Sequence, residues 1–296
     1  MERAEALCHG AATIVNAIAT GKGAAFGVDL WTKAEVRLTG EPGVVDGEIA
    51  SDPTENLILI EKVVKRVFQH FGVETKFGAK VRTWSNIPIA RGLKSSSAAA
   101  NAIALATVAA LNRRLDDLAV VNLGVDAAFD AKVTLTGAFD DACASYFGGV
   151  AITDNVKRRL VERFTISNEL SVLFLVPAEK AYTISSNMNK MRKIAQFVKT
   201  PYSEALRGNY WRALTLNGLL YSLALGYDPS AALDALTAGA LAAGLCGKGP
   251  AVTAVVPNEA ADSVKAAWQA YEGAILEARV NNEKARILSG FEWRTL

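Results

Sequence analysis

The 296-residue chain has few of the residues that build disulfide frameworks or structural metal sites. It contains only two histidines and three cysteines, Cys8, Cys143 and Cys246, which are odd in number and far apart. No CxxC pair is present, so the sequence predicts a reduced protein without structural zinc. Because thiols stay reduced in the cytosol, we expect a cytoplasmic location.

An excess of one charge and long apolar runs are also lacking. The 32 Lys and Arg residues against 30 Asp and Glu residues leave a net charge of +2. The sequence therefore lacks the excess of basic residues that is typical of nucleic-acid-binding proteins. No stretch reaches the ~18 apolar residues of a spanning helix, and the opening MERAEALCHG lacks the layout of a signal peptide. The 51% apolar and 21% charged content is that of a globular chain. We expect neither nucleic-acid nor membrane partners.

Hydrophobic periodicity predicts an α+β protein. Residues 10–40 and 79–89 alternate like strands, and helices are predicted at 56–73, 98–111 and 117–131. In the second half, NELSVLFLVP and VTAVVP are predicted strands, helices are expected around 182–225, and ADSVKAAWQAYEGAILEA is a predicted helix. No strict βαβ order appears. The charged stretch DNVKRRLVERF marks the only visible seam, so we expect domains at 1–160 and 161–296.

Two glycine clusters imitate nucleotide-binding motifs without satisfying them. GKGAAFG, at residues 21–27, is one residue too long for the dinucleotide fingerprint. Neither Gly21-Lys22 nor Gly247-Lys248 is followed by Ser or Thr, so the Walker A pattern is absent. The sequence therefore excludes an ordinary Rossmann or P-loop site.

The segment PIARGLKSSSAAANAIALA, at residues 88–106, has the parts of an anion site. Pro88 ends a predicted strand, Gly92 permits a tight turn, and serines stand where a helix begins. Free amides at a helix start, together with the helix dipole, attract phosphate. The alternative is an ordinary helix start in which one serine caps the backbone.

Two further segments bring chemistry-bearing groups. TGAFDDACASYFGG, at 136–149, places Asp140 beside Asp141 in an apolar setting, where each carboxylate raises the pKa of the other. Such a pair supplies a base or an acceptor that orients a hydroxyl, although a turn or helix cap is the alternative. GLCGKGPAVTAVV is a glycine turn before a strand, where backbone can approach a ligand or simply reverse direction.

Together, and in this order, these segments resemble the galactokinase, homoserine kinase, mevalonate kinase and phosphomevalonate kinase (GHMP) superfamily. Within it, IPIARGLKSSSAAANA, TGAFDDACASYFGG and the opening HGAATIVNAIATGKGAAFGV are similar to archaeal-type shikimate kinases. The resemblance implies an N-terminal domain like the second domain of ribosomal protein S5, a C-terminal ferredoxin-like α+β domain, and ATP in the cleft. It also implies Mg²⁺-dependent transfer of the γ-phosphoryl group to the 3-hydroxyl of shikimate.

The resemblance further implies roles for individual residues. ATP and its phosphates would contact Pro88, Gly92, Leu93, Lys94, Ser95, Ser96, Ser97 and Ala98. Ser97 and Asp130, which stands eleven positions before Asp141, would hold Mg²⁺. The catalytic base would be Asp141, with Asp140 as the alternative, because alignment on a D-N-A pattern favours Asp140 and counting back from Gly148 favours Asp141.

For the acceptor, the resemblance implies contacts at Asn16, Asp141, Arg192, Gly247 and Gly249. The carboxylate of shikimate needs a cationic partner, for which Arg91, Arg192 and Arg279 are the candidates. Lys248 has no assigned role. The expected partners are shikimate and ATP, in a monomer or homodimer.

Three other interpretations remain open at this point. Homoserine or mevalonate could be the acceptor, because the phosphate loop reports the donor alone. The chain could also be a superfamily member that has lost catalysis and acts as a binding protein. Finally, the S5-like domain by itself would suggest an RNA-binding protein, although the composition provides no basic face.

Overall fold

The computed structural model describes residues 2–89, 91–178 and 188–289, which form two β-sheets covered by helices. The strands are β1 (Arg3–Val15), β2 (Lys22–Thr39), β3 (Val45–Ile49), β4 (Gly78–Ser85), β5 (Val150–Asp154), β6 (Arg159–Phe164), β7 (Leu170–Val176), β8 (Ala242–Leu245), β9 (Val252–Pro257), β10 (Ala274–Arg279) and β11 (Arg286–Ser289). The helices are α1 (Ile58–Phe71), α2 (Ser95–Ala110), α3 (Asp117–Asp130), α4 (Phe139–Phe147), α5 (Met188–Lys193), α6 (Ala195–Leu206), α7 (Tyr210–Leu225), α8 (Ser230–Thr237) and α9 (Ala261–Trp268). The mixture confirms the α+β prediction.

The first sheet is organised by the long antiparallel pair β1 and β2. Its order is β11-β1-β2-β4-β3, and β5 joins the other half of β2 and pairs with β6. β1 is 13 residues long and β2 is 18, so β2 pairs with β4 through one half and with β5 through the other. The turn between β1 and β2 contacts α7, where the backbone amide of Asn16 donates to Oδ1 of Asn217 and the Tyr221 hydroxyl donates to the carbonyl oxygen of Asn16.

Helices α1 to α4 belong to the first domain, and α2, with 16 residues, is the longest of them. Its residues are buried continuously from Ala100 to Ala110, and it packs on β1 and β2. Alanine side chains project little, so the helix lies close to the sheet. α1 is amphipathic as predicted, and it ends at Gly72, whose φ of 62° is left-handed.

The second sheet has the strand order β10-β7-β9-β8, and all of its pairs are antiparallel. Its chain order is strand, helices, two strands, helix and strand, which is the ferredoxin-like arrangement. α7 approaches β8 closely because glycines meet there: a Cβ on Gly218 would lie 2.4 Å from the Cα of Gly244. No helix of the described residues is long and apolar enough to cross a membrane.

Two expectations about chain organisation need correction. The expected division at residue 160 falls inside β6, the sheets separate between β6 and β7, and β11 returns to the first sheet.

The predicted helix over 261–278 was also wrong: α9 ends at Trp268, and Gly273, with a φ of 138°, leads into β10. Pairing with β7 decides this, because residues from Ala274 to Arg279 match β7 one for one.

Candidate active site

The predicted phosphate loop ends at the start of α2. Lys94 caps the helix with a left-handed φ of 63°, and no side chain caps the first amides. Gly92, with a φ of 87°, lies against the β8–β9 turn, because a Cβ there would be 3.2 Å from the carbonyl oxygens of Cys246 and Gly249. The first amides of a 16-residue helix and the hydroxyls of Ser95 to Ser97 therefore face an open space suited to an anion.

The two adjacent carboxylates lie in the first turn of α4, and both are buried. Oδ1 of Asp140 accepts a hydrogen bond of 2.9 Å from Nδ2 of Asn155. Burial, followed by the charge of Asp141, raises the pKa of Asp140 to about 7, although Asn155 opposes the shift. A carboxyl group in this setting holds its proton near neutral pH more readily than an exposed one.

Asp141 forms an ion pair that joins the starts of two helices. Its Oδ2 lies 3.2 Å from Nζ of Lys94, and the two side chains are 8% and 15% exposed. Burial alone would lower the pKa of Lys94, but the charges of Asp141 and its acidic neighbours outweigh burial and raise it. The other oxygen of Asp141, Oδ1, is buried and has no hydrogen-bond partner among the described residues.

The glycine turn between β8 and β9 closes the site from the second domain. Gly247 has a φ of 63°, and a Cβ on it would lie 2.4 Å from Nζ of Lys94, so only glycine fits without displacing the lysine. Lys248 lines the same space as the two aspartates. Burial and the charge of Lys94 lower the pKa of Lys248 to about 8, against the opposing influence of Asp141.

These parts surround a cavity of about 400 Å³ between the two domains. Its lining includes the two aspartates, the serines of α2 and the end of β1. The β3–α1 connection, with Ile49 and Asn56, and residues 131–137 also line it. A volume of this size is within the range of small-molecule binding sites.

Most residues predicted from the loop motifs lie on this cavity. Its lining includes Asn16, Gly92, Lys94, Ser95, Ser96, Ser97, Asp140, Asp141 and Gly249. Pro88, Leu93, Ala98 and Gly247 are not among the lining side chains: Leu93 and Ala98 are buried in the core, and Gly247 packs against Lys94. Their contribution is to hold the loop and the turn in shape.

The arginine candidates do not meet the cavity. Arg192 is exposed on α5, Arg279 is exposed on β10, and the guanidinium of Arg91 donates to the carbonyl oxygen of Pro177. None of the three is among the lining residues. The expectation that Arg192 contacts the acceptor is therefore corrected, because its side chain is exposed and does not line this cavity.

Asp130 is also placed differently from the expectation. Its two carboxylate oxygens accept from Nε and Nη2 of Arg66, at 2.5 and 2.8 Å, in a bidentate pair that joins α3 to α1. Asp130 does not line the cavity, and it lies at the last residue of α3. The geometry gives Asp130 a role in helix packing, so the expected metal ligand is corrected.

The donor set near the phosphate loop suits Mg²⁺ even without Asp130. Mg²⁺ prefers oxygen ligands, keeps several waters, and is usually held by one or two protein groups together with substrate phosphates. The Ser97 hydroxyl is an oxygen donor on this cavity, and phosphate oxygens and water would complete the coordination. Among the described residues, no group of three or more His, Cys, Asp or Glu side chains forms a metal cage of its own.

Two side chains of the site were missed from the sequence, and the role of a third was left open. Thr13 lines the cavity, and Asn155 positions Asp140 from the chain segment after β5. Lys248, which had no assigned role, also lines the cavity. Thr13 stands in an alternating strand, where nothing marks its hydroxyl as different from any other. Only the position of Lys248 inside a glycine turn offered a pattern.

The fold and the site define the class of protein. A homoserine kinase from Cytophaga hutchinsonii has the same fold, with a TM-score of 0.76, 17% identity, and coverage of 97% of this chain and 98% of that one. A mevalonate kinase matches with a TM-score of 0.74, 16% identity, and coverage of 94% and 99%. The model of the GHMP kinases N terminal domain matches residues 58–149. The architecture is that of the GHMP kinases.

Relatives that match nearly the whole chain show which family within the GHMP kinases it belongs to. A shikimate kinase of Methanosarcina mazei is 46% identical over 282 residues, which is 95% of each chain. A shikimate kinase of Pyrococcus abyssi is 45% identical over 88% of this chain and 93% of its own. The chain belongs to this shikimate kinase family within the GHMP kinases.

Proposed function

We propose that the chain transfers the γ-phosphoryl group of ATP to the 3-hydroxyl of shikimate, giving shikimate 3-phosphate and ADP. The observation that carries this proposal is the buried Asp141–Lys94 pair, which leaves one carboxylate oxygen unpartnered on the cavity at the start of α2. The 46% identity to a shikimate kinase, across nearly the whole of both chains, supports the choice of acceptor.

The phosphates of ATP bind at the start of α2. The free amides of its first turn and the hydroxyls of Ser95, Ser96 and Ser97 donate to phosphate oxygens, and the helix dipole adds to the attraction. The nucleoside end occupies the part of the cavity lined by Ile49 and Asn56. This places the γ-phosphate toward the aspartates of α4.

Asp141 orients the acceptor hydroxyl. Its Oδ1 accepts the hydroxyl proton, while Lys94 fixes the carboxylate through Oδ2. The hydroxyl oxygen bonds to the γ-phosphorus as the bond to the β–γ bridging oxygen breaks, and ADP leaves with that electron pair. Asp140, tied to Asn155, keeps the first turn of α4 in place.

Mg²⁺ is the expected companion of ATP, held by the Ser97 hydroxyl, by phosphate oxygens and by water. When bound, it neutralises charge on the transferring group. The chain contributes Lys94 as a further positive charge on the same cavity. Since all these residues come from one chain, a monomer suffices for the reaction, and a cytoplasmic location suits its ATP supply and its three free cysteines.

The test is ADP release by the purified protein with Mg²⁺-ATP and either shikimate, homoserine, mevalonate or no acceptor. We expect release only with shikimate, and a product heavier by one phosphoryl group in mass spectrometry. Release with another alcohol would keep the kinase chemistry and reject shikimate as the acceptor. Failure with all three acceptors, with ATP still bound, would reject the proposed reaction.

A further inference from the structure

Two buried polar atoms of the site have no partner in the protein. Thr13 is 3% exposed, and its Oγ1 makes no hydrogen bond among the described residues, as is also true of Oδ1 of Asp141. Both residues line the cavity. Buried polar atoms are nearly always paired in folded proteins, so two unpaired ones on one cavity point to a ligand that supplies the missing partners.

Lys248 follows Gly247 in the glycine turn and lines the same cavity as Thr13, where it adds a positive charge without an ion-pair partner among the described residues. The turn that carries it packs on both Thr13 and Lys94, since a Cβ on Gly247 would lie 3.5 Å from Oγ1 of Thr13 and 2.4 Å from Nζ of Lys94. Lys94 has Asp141 as its ion-pair partner, whereas the structure gives Lys248 none among the described residues. Burial and Lys94 hold the pKa of Lys248 down at about 8, and a bound anion would relieve both effects.

The unsatisfied groups have a definite chemical pattern. Thr13 is a buried donor that lacks an acceptor, Asp141 is a buried acceptor that lacks a donor, and Lys248 is a partly buried cation with no ion-pair partner among the described residues. A molecule that carries both a carboxylate and a hydroxyl satisfies all three at once. Phosphate already has its own donors in the serines and amides of α2, on a different element of the cavity.

We propose that Thr13 and Lys248 form the subsite that binds the carboxylate of the acceptor, so that the enzyme selects hydroxy acids over uncharged alcohols. This inference rests on the proposed kinase function and deepens it. It replaces the arginines expected from the sequence, which lie away from the cavity. Both residues are specificity-determining, and the chemistry remains with Asp141.

The test compares shikimate with its methyl ester in the wild type, Lys248→Met and Thr13→Val. Hydrogen bonds to charged groups contribute about 1.5–3 kcal/mol, so we expect kcat/KM for shikimate to fall about 10- to 100-fold in Lys248→Met. The wild type should prefer the acid over the ester by a similar factor, and Lys248→Met should lose that preference. Thr13→Val should weaken it, while KM for ATP stays within about twofold in both variants.

Two matched variants control for the change of side chain. Thr253 also has a buried, unpartnered hydroxyl, but it lies in β9 and does not line the cavity, so Thr253→Val should leave kcat/KM unchanged. Lys80 is an exposed lysine on β4, and Lys80→Met should behave in the same way. Lys248→Arg keeps the charge and should retain part of the preference for the acid.

The outcomes separate the two proposals. If the wild type turns over shikimate and Lys248→Met still prefers the acid over the ester, the carboxylate subsite is rejected. If Lys248→Met instead raises KM for ATP, Lys248 contacts phosphate and the inference also fails. If the wild type phosphorylates only homoserine or mevalonate, shikimate is rejected as the acceptor, and the same acid-to-ester comparison on that acceptor decides the subsite.

Discussion

The ion pair between Lys94 and Asp141 should make one substitution costly in two separate ways. Replacing Asp141 with Asn keeps the shape of the side chain and removes the charge 3.2 Å from the Lys94 ammonium. At an effective dielectric constant of ~20, that attraction is about 5 kcal/mol before desolvation is counted. Breaking a buried pair and leaving one charge alone costs about 3–5 kcal/mol, so we expect a loss of that size in the free energy of unfolding.

The same substitution should also slow turnover. Loss of a general base lowers kcat by about 10²- to 10⁴-fold, with little change in ATP binding. Urea unfolding and ADP release measure the two effects independently. The double variant Lys94→Met/Asp141→Asn leaves neither member of this pair charged and alone, so it should regain at least half of the lost stability while kcat stays low.

Two results would contradict this reasoning. If Asp141→Asn unfolds at the same urea concentration as the wild type, the pair does not stabilise the fold as a buried charge pair. If Asp141→Asn keeps full turnover while Asp140→Asn loses it, Asp140 is the base and the unpartnered oxygen of Asp141 has been misinterpreted.

Three further predictions concern other parts of the molecule. Burial raises the pKa of Asp140 to about 7, whereas an unfolded aspartate has a pKa near 4. Between these two pH values the native state binds one proton more than the unfolded state. The free energy of unfolding should therefore fall by up to about 4 kcal/mol as the pH rises from 4 to 7. Asp140→Asn should remove that fall in urea titrations at pH 5 and pH 8, and an unchanged pH dependence would contradict the raised pKa. Asp130→Asn removes a half-exposed ion pair with Arg66, so we expect the free energy of unfolding to change by less than about 1 kcal/mol. The Mg²⁺ concentration needed in kinase assays should stay at the wild-type value. A higher Mg²⁺ requirement would restore Asp130 as a metal ligand. Gly218→Ala places a methyl 2.4 Å from the Cα of Gly244, so it should lower the melting temperature by several degrees, and a melting temperature equal to the wild type would show that α7 can move away from β8.

Local sequence patterns were sufficient where one element determines its own shape. The glycine and serine segment predicted the start of α2, and the 3.6-residue period predicted α1 with its stop at Gly72. α9 and β10 were merged, because AILEA continues a helical pattern and only its pairing with β7 makes it a strand. The short strands β3 and β11 are likewise decided by their partners in the sheet.

The site was predictable to the same degree. Carboxylates and serines inside dense motifs were recognisable, and the structure brings Asp140, Asp141 and the α2 serines to one cavity. The cationic and neutral hydrogen-bond donors of the site could not be recognised from the sequence, because the exposure and pairing of a side chain depend on the tertiary structure. Arg192 is exposed, whereas Lys248 lines the cavity with the aspartates, and the amino-acid sequence alone does not distinguish these two environments.

The return of β11 to the first sheet has a consequence for how the two sheets are joined. Glu5 of β1 pairs with Ser289 of β11, so the chain leaves the first sheet after β6, forms the second sheet from β7 to β10 and then comes back. The second sheet is therefore an insertion that is tied to the first sheet at both of its ends. β11 also covers one edge of β1, and open strand edges invite pairing with other chains. Removing β11 would thus free one of the two connections and expose this edge in a single step.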